Sequence, residues 1–481
     1  SNKPVANQQK KVVTPGTSSL ESIMPLLNVG AGYDLLTGEW LQLDDGSSII
    51  LGGLPRYWAV GGPPNSYKTA MLLYFHLSPS EKLTHVALPA TFTYDTENSY
   101  TLSRLERLLN MFKTLKDMNF VYGGTWTILA KHMALADIWW ENVKVWFKDL
   151  VKAKFIVSTP MTDLKTKKPF KMFFPSFLPI DSMSQVESSE SHKMAEKKLG
   201  DSKAKMYFMN VGFDKARILG ELGTLVYKAG SYTLLSTHIG EENAMSASRF
   251  PTKEFTDSAA GKILKGVPKN FGYLLTHIWL TATARVEHTD GFVKYPRRQD
   301  LKNTPKGDLV SVKTTLVRSK TSRSGHVRRA FISQSEGLQP HLTNIIDLKE
   351  ECDNYGIVGN NTRYALELYP DVILMRTTLV DKINNDSKLR RAIDITTEMQ
   401  QTFSLFLYTD AKQICTPAQL REDLIKMGYD WDIILNSRGW WTVEDDKHPT
   451  PRLSTMDLLN IRIGKFEAKW AMKAKTKEGK K

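Results

Sequence analysis

The stretch from Arg56 to Leu77, RYWAVGGPPNSYKTAMLLYFHL, decides how the rest of the chain is read. A short apolar run meets a Gly-Pro turn, and a helical pattern opens at Lys68-Thr69. That order predicts a strand, a tight loop and a helix. A helix start presents backbone N–H groups without intrahelical partners, and the positive end of the helix dipole, to an anion. In a phosphate-binding loop of this layout the Lys reaches the β- and γ-phosphates and the next hydroxyl holds Mg²⁺. The usual pattern has Gly before the Lys, and here Tyr67 stands there. On these residues alone an ordinary strand–turn–helix remains an open alternative.

Working outward, 481 residues leave room for two or three domains with a substantial core. Hydrophobic content of 41% with 24% charged residues is globular. The net charge of +14 points to a polyanionic partner, most simply nucleic acid, against the plainer reading of a generally basic protein. Cys352 and Cys415 are too few for a disulfide framework or a structural zinc site, which suits a reducing cytoplasm. No apolar run approaches the roughly 18 residues that span a bilayer, and none reads as a signal peptide. The expectation is therefore a cytoplasmic protein with no membrane partner.

Before the loop, residues 1–18 read as a flexible arm, followed by a short helix in SLESIMPLL. Residues 32–54 carry turn signals at Thr37-Gly38 and Asp45-Gly46 and suggest a β-hairpin. After the loop, Ala90–Tyr94 reads as a strand ending in Asp95-Thr96-Glu97. Those acids are placed either to polarise a water or to cap a helix. Tyr100–Phe112 has leucines at helical spacing, and 129–152 reads as a second helix with Trp139, Trp140, Trp146 and Phe147 as packing residues. Phe173–Asp181, FFPSFLPID, reads as a strand delivering Asp181, unusual for its two prolines. A helix over 214–228 and a strand over 232–236, ending at Thr237-His238, come next.

Two polar segments flank these elements. Residues 184–205 carry Lys193, Lys197, Lys198, Lys203 and Lys205; residues 243–269 carry Arg249, Phe250, Lys253, Phe255, Lys262, Lys265 and Lys269. Interleaved cations and aromatics suit single-stranded nucleic acid, whose phosphates need charge and whose bases need stacking surface. Solvated loops are the plainer reading. Strands over 273–283 and 309–317 lead to Arg318-Ser319-Lys320 and a basic turn. From about 347 the pattern turns helical, as in LREDLIKMGYDWDIIL, with an aromatic Arg438-Gly439-Trp440-Trp441 and a basic tail.

Taken as a set, these motifs resemble the RecA family, and most closely its phage UvsX-type recombinases. The resemblance covers about residues 30–350. It is carried by GPPNSYKT (Gly62–Thr69), FTYDTE, IDSMSQ, LLSTHIGEE and LVRSKTS. UvsX-type proteins also have an aromatic residue before the Lys, so Tyr67 fits the pattern. The resemblance implies a RecA-like α/β ATPase core, a twisted and mostly parallel sheet flanked by helices. It would occupy 31–350, between an N-terminal arm and oligomerisation helix (1–30) and a mixed α/β C-terminal domain with a basic tail (351–481).

By the same resemblance, Gly62, Asn65, Ser66, Tyr67, Lys68 and Thr69 hold ATP, and Thr69 and Asp181 hold Mg²⁺. Glu97 activates the attacking water, and His238 stands where the family senses the γ-phosphate. Arg318 and Lys320 match cations that reach a neighbouring subunit's ATP. The segments after Asp181 and after His238 correspond to the two DNA-binding loops, with Asn270 and Phe271 near the end of the second. Where the family stacks a Tyr on adenine this chain has Arg104, so either Arg104 stacks on the base or Tyr100 substitutes. The distance from Lys68 to Asp181 exceeds the family norm and implies an insertion around 120–172. The expected activity is a DNA-dependent ATPase that forms helical filaments on single-stranded DNA and exchanges strands with a duplex in recombination and repair, in the host cytoplasm if phage-encoded. A DnaB-type ring helicase, a RecA-core annealing or mediator ATPase, and an architectural protein with a degenerate site are the competing readings.

Overall fold

The computed structural model describes residues 24–163, 166–189, 193, 201–241, 262–268, 272–289, 291–298, 307–405, 410–444 and 451–473; for 201–211, 241, 262 and 263 it describes the backbone alone. Nine strands form the path of the central sheet: β1 (Tyr57–Gly62), β2 (Thr91–Asp95), β3 (Trp126–Ala130), β4 (Ser176–Asp181), β5 (Ser231–Glu241), β6 (His277–Thr281), β7 (Leu309–Ser319), β8 (Val327–Ser333) and β9 (Gly337–Leu338). Their order across the sheet is β9-β8-β7-β6-β1-β5-β4-β2-β3. The run from β6 to β3 is parallel throughout, and β7, β8 and β9 are added antiparallel on one side.

The chain is thus mixed α/β with a large, mostly parallel sheet and flanking helices. Strands covered on both faces read as continuous apolar runs, and β1, β2, β4 and β6 are buried at every position. Parallel neighbours need long crossovers, supplied in part by α1 (Lys68–Leu83), α2 (Ala136–Ala153) and α3 (Asp201–Ala229). Helix α1 is enclosed along Ala70–Ser80, with Phe75 stacked on Trp58 at 4.7 Å and Tyr33 edge-on to Phe75 at 5.3 Å.

The hairpin expected over 32–54 forms, Glu39–Gln42 against Ser48–Leu51. It packs into a second apolar cluster shared with α4 (Ser387–Ser404), where the Trp40 indole N–H donates to the Thr402 hydroxyl at 3.0 Å. The aromatic stretch near 440 wraps the end of α1. Trp441 N–H donates to Asn28 at 3.1 Å, the Thr442 hydroxyl donates to the Lys82 carbonyl at 3.0 Å, and Lys82 lies over the Trp440 ring.

Several boundaries differ from the expectation, each for a visible reason. The strand expected over 173–181 begins at Ser176, because Phe173 closes a separate hairpin, Ile156–Thr162 with Pro169–Phe173. Pro179 is tolerated because the β2 ladder pairs Phe177 and Ile180 and passes it by. The helix expected from 129 starts at Ala136, since Leu129 and Ala130 finish β3 beside β2. The helix expected over 214–228 extends back to Asp201. Residues 420–435 form two helices, Pro417–Lys426 and Trp431–Asn436, because Gly428 takes a left-handed φ of 92° between them. The expected turn to helices after 347 is interrupted by three antiparallel strands, Ile357–Gly359, Tyr364–Leu366 and Tyr369–Leu374. Most of SLESIMPLL lies outside the described residues, and Leu27 is extended in a bridge with Leu54.

Three carboxyls in this interior make stability depend on pH. Burial pushes Asp34 up to about 7, Glu398 to about 7 and Asp457 to about 6. Lys82 and the Val29 and Gly30 amides oppose the shift at Asp34; Arg391 and Thr455 oppose it at Glu398, while Asp394 raises both. A carboxyl whose pKa is higher folded than unfolded takes up a proton on folding. Its contribution is present below about pH 4 and is lost as pH rises through about 6 to 7. The Tm should therefore fall from pH 5 to pH 8. Glu398→Gln, uncharged at both, should flatten that fall by roughly 1–3 kcal/mol. An equal slope in both chains would show that Glu398 carries none of it.

Candidate functional site

In an open parallel sheet the crevice beyond the carboxyl ends of the strands is where ligands bind. The register brings those ends into line. Gly62 of β1 stands beside His238 of β5, and Asp95 of β2 stands beside Asp181 of β4. Lys68, Thr69, Asp181, Glu97 and His238, distant in sequence, therefore meet at one edge.

The loop between β1 and α1 is held by its own hydroxyls. Ser66 donates to the Pro63 carbonyl at 2.7 Å and accepts from Thr281 of β6 at 2.8 Å. Asn65 and Tyr67 both adopt a left-handed φ of 57°, a conformation few non-glycine residues take, which turns the chain sharply into the helix. Gly62 is required by close approach, since a Cβ there would overlap the Thr281 and Ser66 hydroxyls. Gly62→Ala should cost about 1–3 kcal/mol by overpacking and weaken nucleotide binding with it. A denaturant midpoint equal to that of the parent chain would contradict this reading of the loop.

Lys68 is 8% exposed and donates from Nζ to the Pro63 carbonyl at 2.8 Å. Burial lowers its pKa, and the Glu97 and Asp181 carboxylates oppose that shift. Asp181 is buried, accepts from the Ser236 hydroxyl, and lies 3.3 Å from the Ser99 hydroxyl. Burial is the main cause that raises its pKa; the Ser236 and Thr69 hydroxyls oppose it, and Glu97 and Asp95 add to it. A buried carboxyl crowded by two more acids, with a hydroxyl beside it, suits an oxygen-seeking divalent cation such as Mg²⁺, which keeps most of its waters. The Asp181–Ser182 peptide is cis.

Glu97 is 32% exposed by side chain, and its Oε1 lies 3.3 Å from His238 Nε2. Asp95, two residues earlier, does something else. It accepts from the backbone N–H groups of Ser99 at 3.0 Å and Tyr100 at 2.9 Å, and so shapes the loop that carries Glu97. His238 is tied down on both sides of its peptide, its N–H donating to Ser184 Oγ at 2.8 Å and its carbonyl accepting from Lys265 N–H at 2.8 Å. Just past it, β5 pairs with Lys262–Leu264, so the site runs directly into a hairpin.

Other expected residues are placed less centrally. Arg104 donates to the Ser99 carbonyl at 3.0 Å and, with Asp308, is among the charges felt by the Tyr67 hydroxyl. Tyr100 has its hydroxyl enclosed and its ring edge-on to Trp126 at 6.4 Å, a core position. Arg318 and Lys320 sit at the opposite edge of the sheet: Arg318 pairs with Ile278, whose other neighbour is Ala59, well below Gly62. There Arg318 donates to the Gly272 carbonyl at 2.9 Å, and Lys320 donates to the Leu274 carbonyl at 3.3 Å. Lys193 and Lys265 are exposed, and Lys262 lies on the strand paired with β5. Lys197, Lys198, Arg249, Phe250, Lys253 and Lys269 lie outside the described residues. Ser99, Ser236, Ser184 and Thr281 are not legible in the sequence, where a lone hydroxyl near a strand end carries little signal.

Compared with family models and with curated proteins, the sequence matches none. Among solved structures, the RadB recombinase is similar at 13% identity and a TM-score of 0.32, over 60% of this chain and 91% of that one. No function follows from a likeness at that level. Among the described residues, no helix is long and apolar enough to cross a membrane.

Proposed function

We propose that the chain is a RecA-type, DNA-dependent ATPase that assembles as a helical filament on single-stranded DNA and exchanges strands with a homologous duplex, most like the UvsX-type recombinases. The observation that carries this reading is the meeting of Lys68, Thr69, Asp181, Glu97 and His238 at one strand edge, with His238 opening directly into the Lys262–Leu264 hairpin. Bound Mg²⁺·ATP would supply the phosphoryl group that is transferred to water. Lys68 and the loop amides from Gly62 to Thr69 would hold its phosphates, and Thr69 and Asp181 its metal. Glu97 would orient and deprotonate the attacking water. Its 3.3 Å contact with His238 links that base to the hairpin on which DNA would act.

Arg104 is the better partner for the base, since the Tyr100 ring is engaged in the core. Arg318 and Lys320 are too far down the sheet to serve their own chain's loop, which supports a site completed by a neighbour's cations in the manner of an arginine finger. A head-to-tail interface of that kind builds an open helix when its rotation does not close. Basic segments after Asp181 and His238 would then line the axis. Electron microscopy with single-stranded DNA and a slowly hydrolysed ATP analogue tests the proposal. Extended filaments requiring both ligands are expected; closed rings would favour a helicase, and dispersed monomers would remove strand exchange from the reading.

A further inference from the structure

We propose that Ser184 is a positioning residue whose hydroxyl joins the chain leaving β4 to the hairpin on β5 and holds His238, so that DNA on either one acts on the Glu97–His238 pair. This role rests on the ATPase reading above and adds to it the part that couples the two basic segments.

Both segments are closed at the foot by described residues. The chain that leaves β4 at Asp181 turns through Met183–Gln185 and returns as α3, where Lys215 donates from Nζ to the Ser184 carbonyl at 3.2 Å. The hairpin on β5 closes where the Lys265 N–H donates to the His238 carbonyl at 2.8 Å. Between the two feet sits the Ser184 hydroxyl, 2.8 Å from the His238 nitrogen, 3.0 Å from the Thr237 hydroxyl and 3.3 Å from the Lys265 carbonyl. A serine hydroxyl has one proton to donate and lone pairs to accept with. The Thr237 hydroxyl donates to the Lys265 carbonyl, so the order that uses each proton once runs from the His238 N–H to Ser184, from Ser184 to Thr237, and from Thr237 to Lys265. The Lys265 N–H returns the path to His238 and closes a ring. Bonds in such a chain polarise one another, so removing one member weakens the others.

Packing confines the same junction. Gly266 takes a left-handed φ of 77°, and a Cβ there would lie 2.7 Å from the Met183 carbonyl oxygen and 3.0 Å from both Lys215 Nζ and Ser184 Cα. The hairpin, the turn after β4 and α3 therefore touch at a point that glycine alone leaves open. Lys215 is 6% exposed, and lysine is rarely so buried without a partner. Burial pushes its pKa down to about 8; Glu187 opposes that shift and Lys131 adds to it. Ser182, two residues before Ser184, exchanges hydrogen bonds of 2.8 and 2.6 Å with the Thr96 hydroxyl, next to Glu97. A shift of this turn thus reaches Glu97 by two routes, through Thr96 and through His238.

The test measures ATP turnover by the full chain with and without single-stranded DNA. In Ser184→Ala the KM for ATP should stay within about threefold of the parent chain, the sign of intact substrate binding. The kcat at saturating DNA should fall at least about tenfold, within the usual range of coupling between two sites, and the stimulation by DNA should be lost. Lys215→Met loosens the same turn from α3 and should show the same split; it decides the matter if Ser184→Ala has no melting transition. A brace without a part in coupling would lower the Tm and leave the stimulation ratio at the parent value. That result in a folded variant overturns the role of Ser184, as does parent turnover that DNA does not stimulate, or a KM that rises while kcat holds. A parent chain that hydrolyses no ATP removes the ATPase reading and this role together, so the parent alone tells the two failures apart.

Discussion

Lys68→Ala is expected to lower ATP affinity by at least about 100-fold and to abolish nucleotide-dependent DNA binding. Lys68 is buried at the opening of α1, with its ammonium turned back onto the Pro63 carbonyl of its own loop. An arriving phosphate oxygen is a stronger acceptor than that carbonyl, and hydrogen bonds between charged groups contribute roughly 1.5–3 kcal/mol each. Two such bonds account for the expected factor, because about 1.4 kcal/mol is tenfold. The same burial lowers the Lys68 pKa, so the folded apo chain carries a desolvated cation at some cost. Removing it should leave the Tm unchanged or raise it. This separates a lost binding contact from a lost fold: a titration with a fluorescent ATP analogue should fail while the melting curve holds. Lys68→Arg should not rescue binding, since a planar guanidinium cannot take the place of a compact ammonium. Affinity within threefold of the parent chain would remove Lys68 from the site.

The part of this edge that could be read in the sequence is the part built from long, uniform signals. β1, its loop and α1 were visible because a buried parallel strand is a continuous apolar run and the helix after it opens at Lys68-Thr69. Asp181 and Glu97 were visible as acids ending such runs. What the sequence hides is pairing across distance. Nothing local shows that Phe173 belongs to a hairpin with Ile156, or that Leu129 closes β3 on the edge of the sheet. An Asp at a strand end serves equally well as a catalytic group or as a loop anchor. Asp95 and Asp181 look alike in sequence, and only the backbone N–H groups of Ser99 and Tyr100 turning onto Asp95 distinguish them. Tyr100 was an open candidate for the nucleotide base because an aromatic ring looks the same in a site and in a core. The Arg438-Gly439-Trp440-Trp441 stretch held no local sign that it would close over the end of α1.

Glu97→Gln is the counterpart at the chemical end of the site. ATP binding should stay within a few-fold of the parent chain while turnover falls by roughly 10²–10⁴, the usual contribution of a positioned general base. The substitution preserves shape and leaves an amide that can still meet His238 Nε2. The loop conformation set by Asp95 depends on backbone N–H groups and is untouched. What is lost is the ability to accept a proton from water. Asp181 cannot replace it, being buried and already engaged by Ser236; Asp95 cannot, because the loop amides occupy its oxygens. Burst and steady-state measurements with radiolabelled ATP distinguish the two losses. A chain that binds and assembles but does not turn over places the base at Glu97. Parent-like turnover would assign water activation to another group, and the 3.3 Å contact between Glu97 and His238 would then read as a structural tie holding the β5 hairpin against the β2 loop.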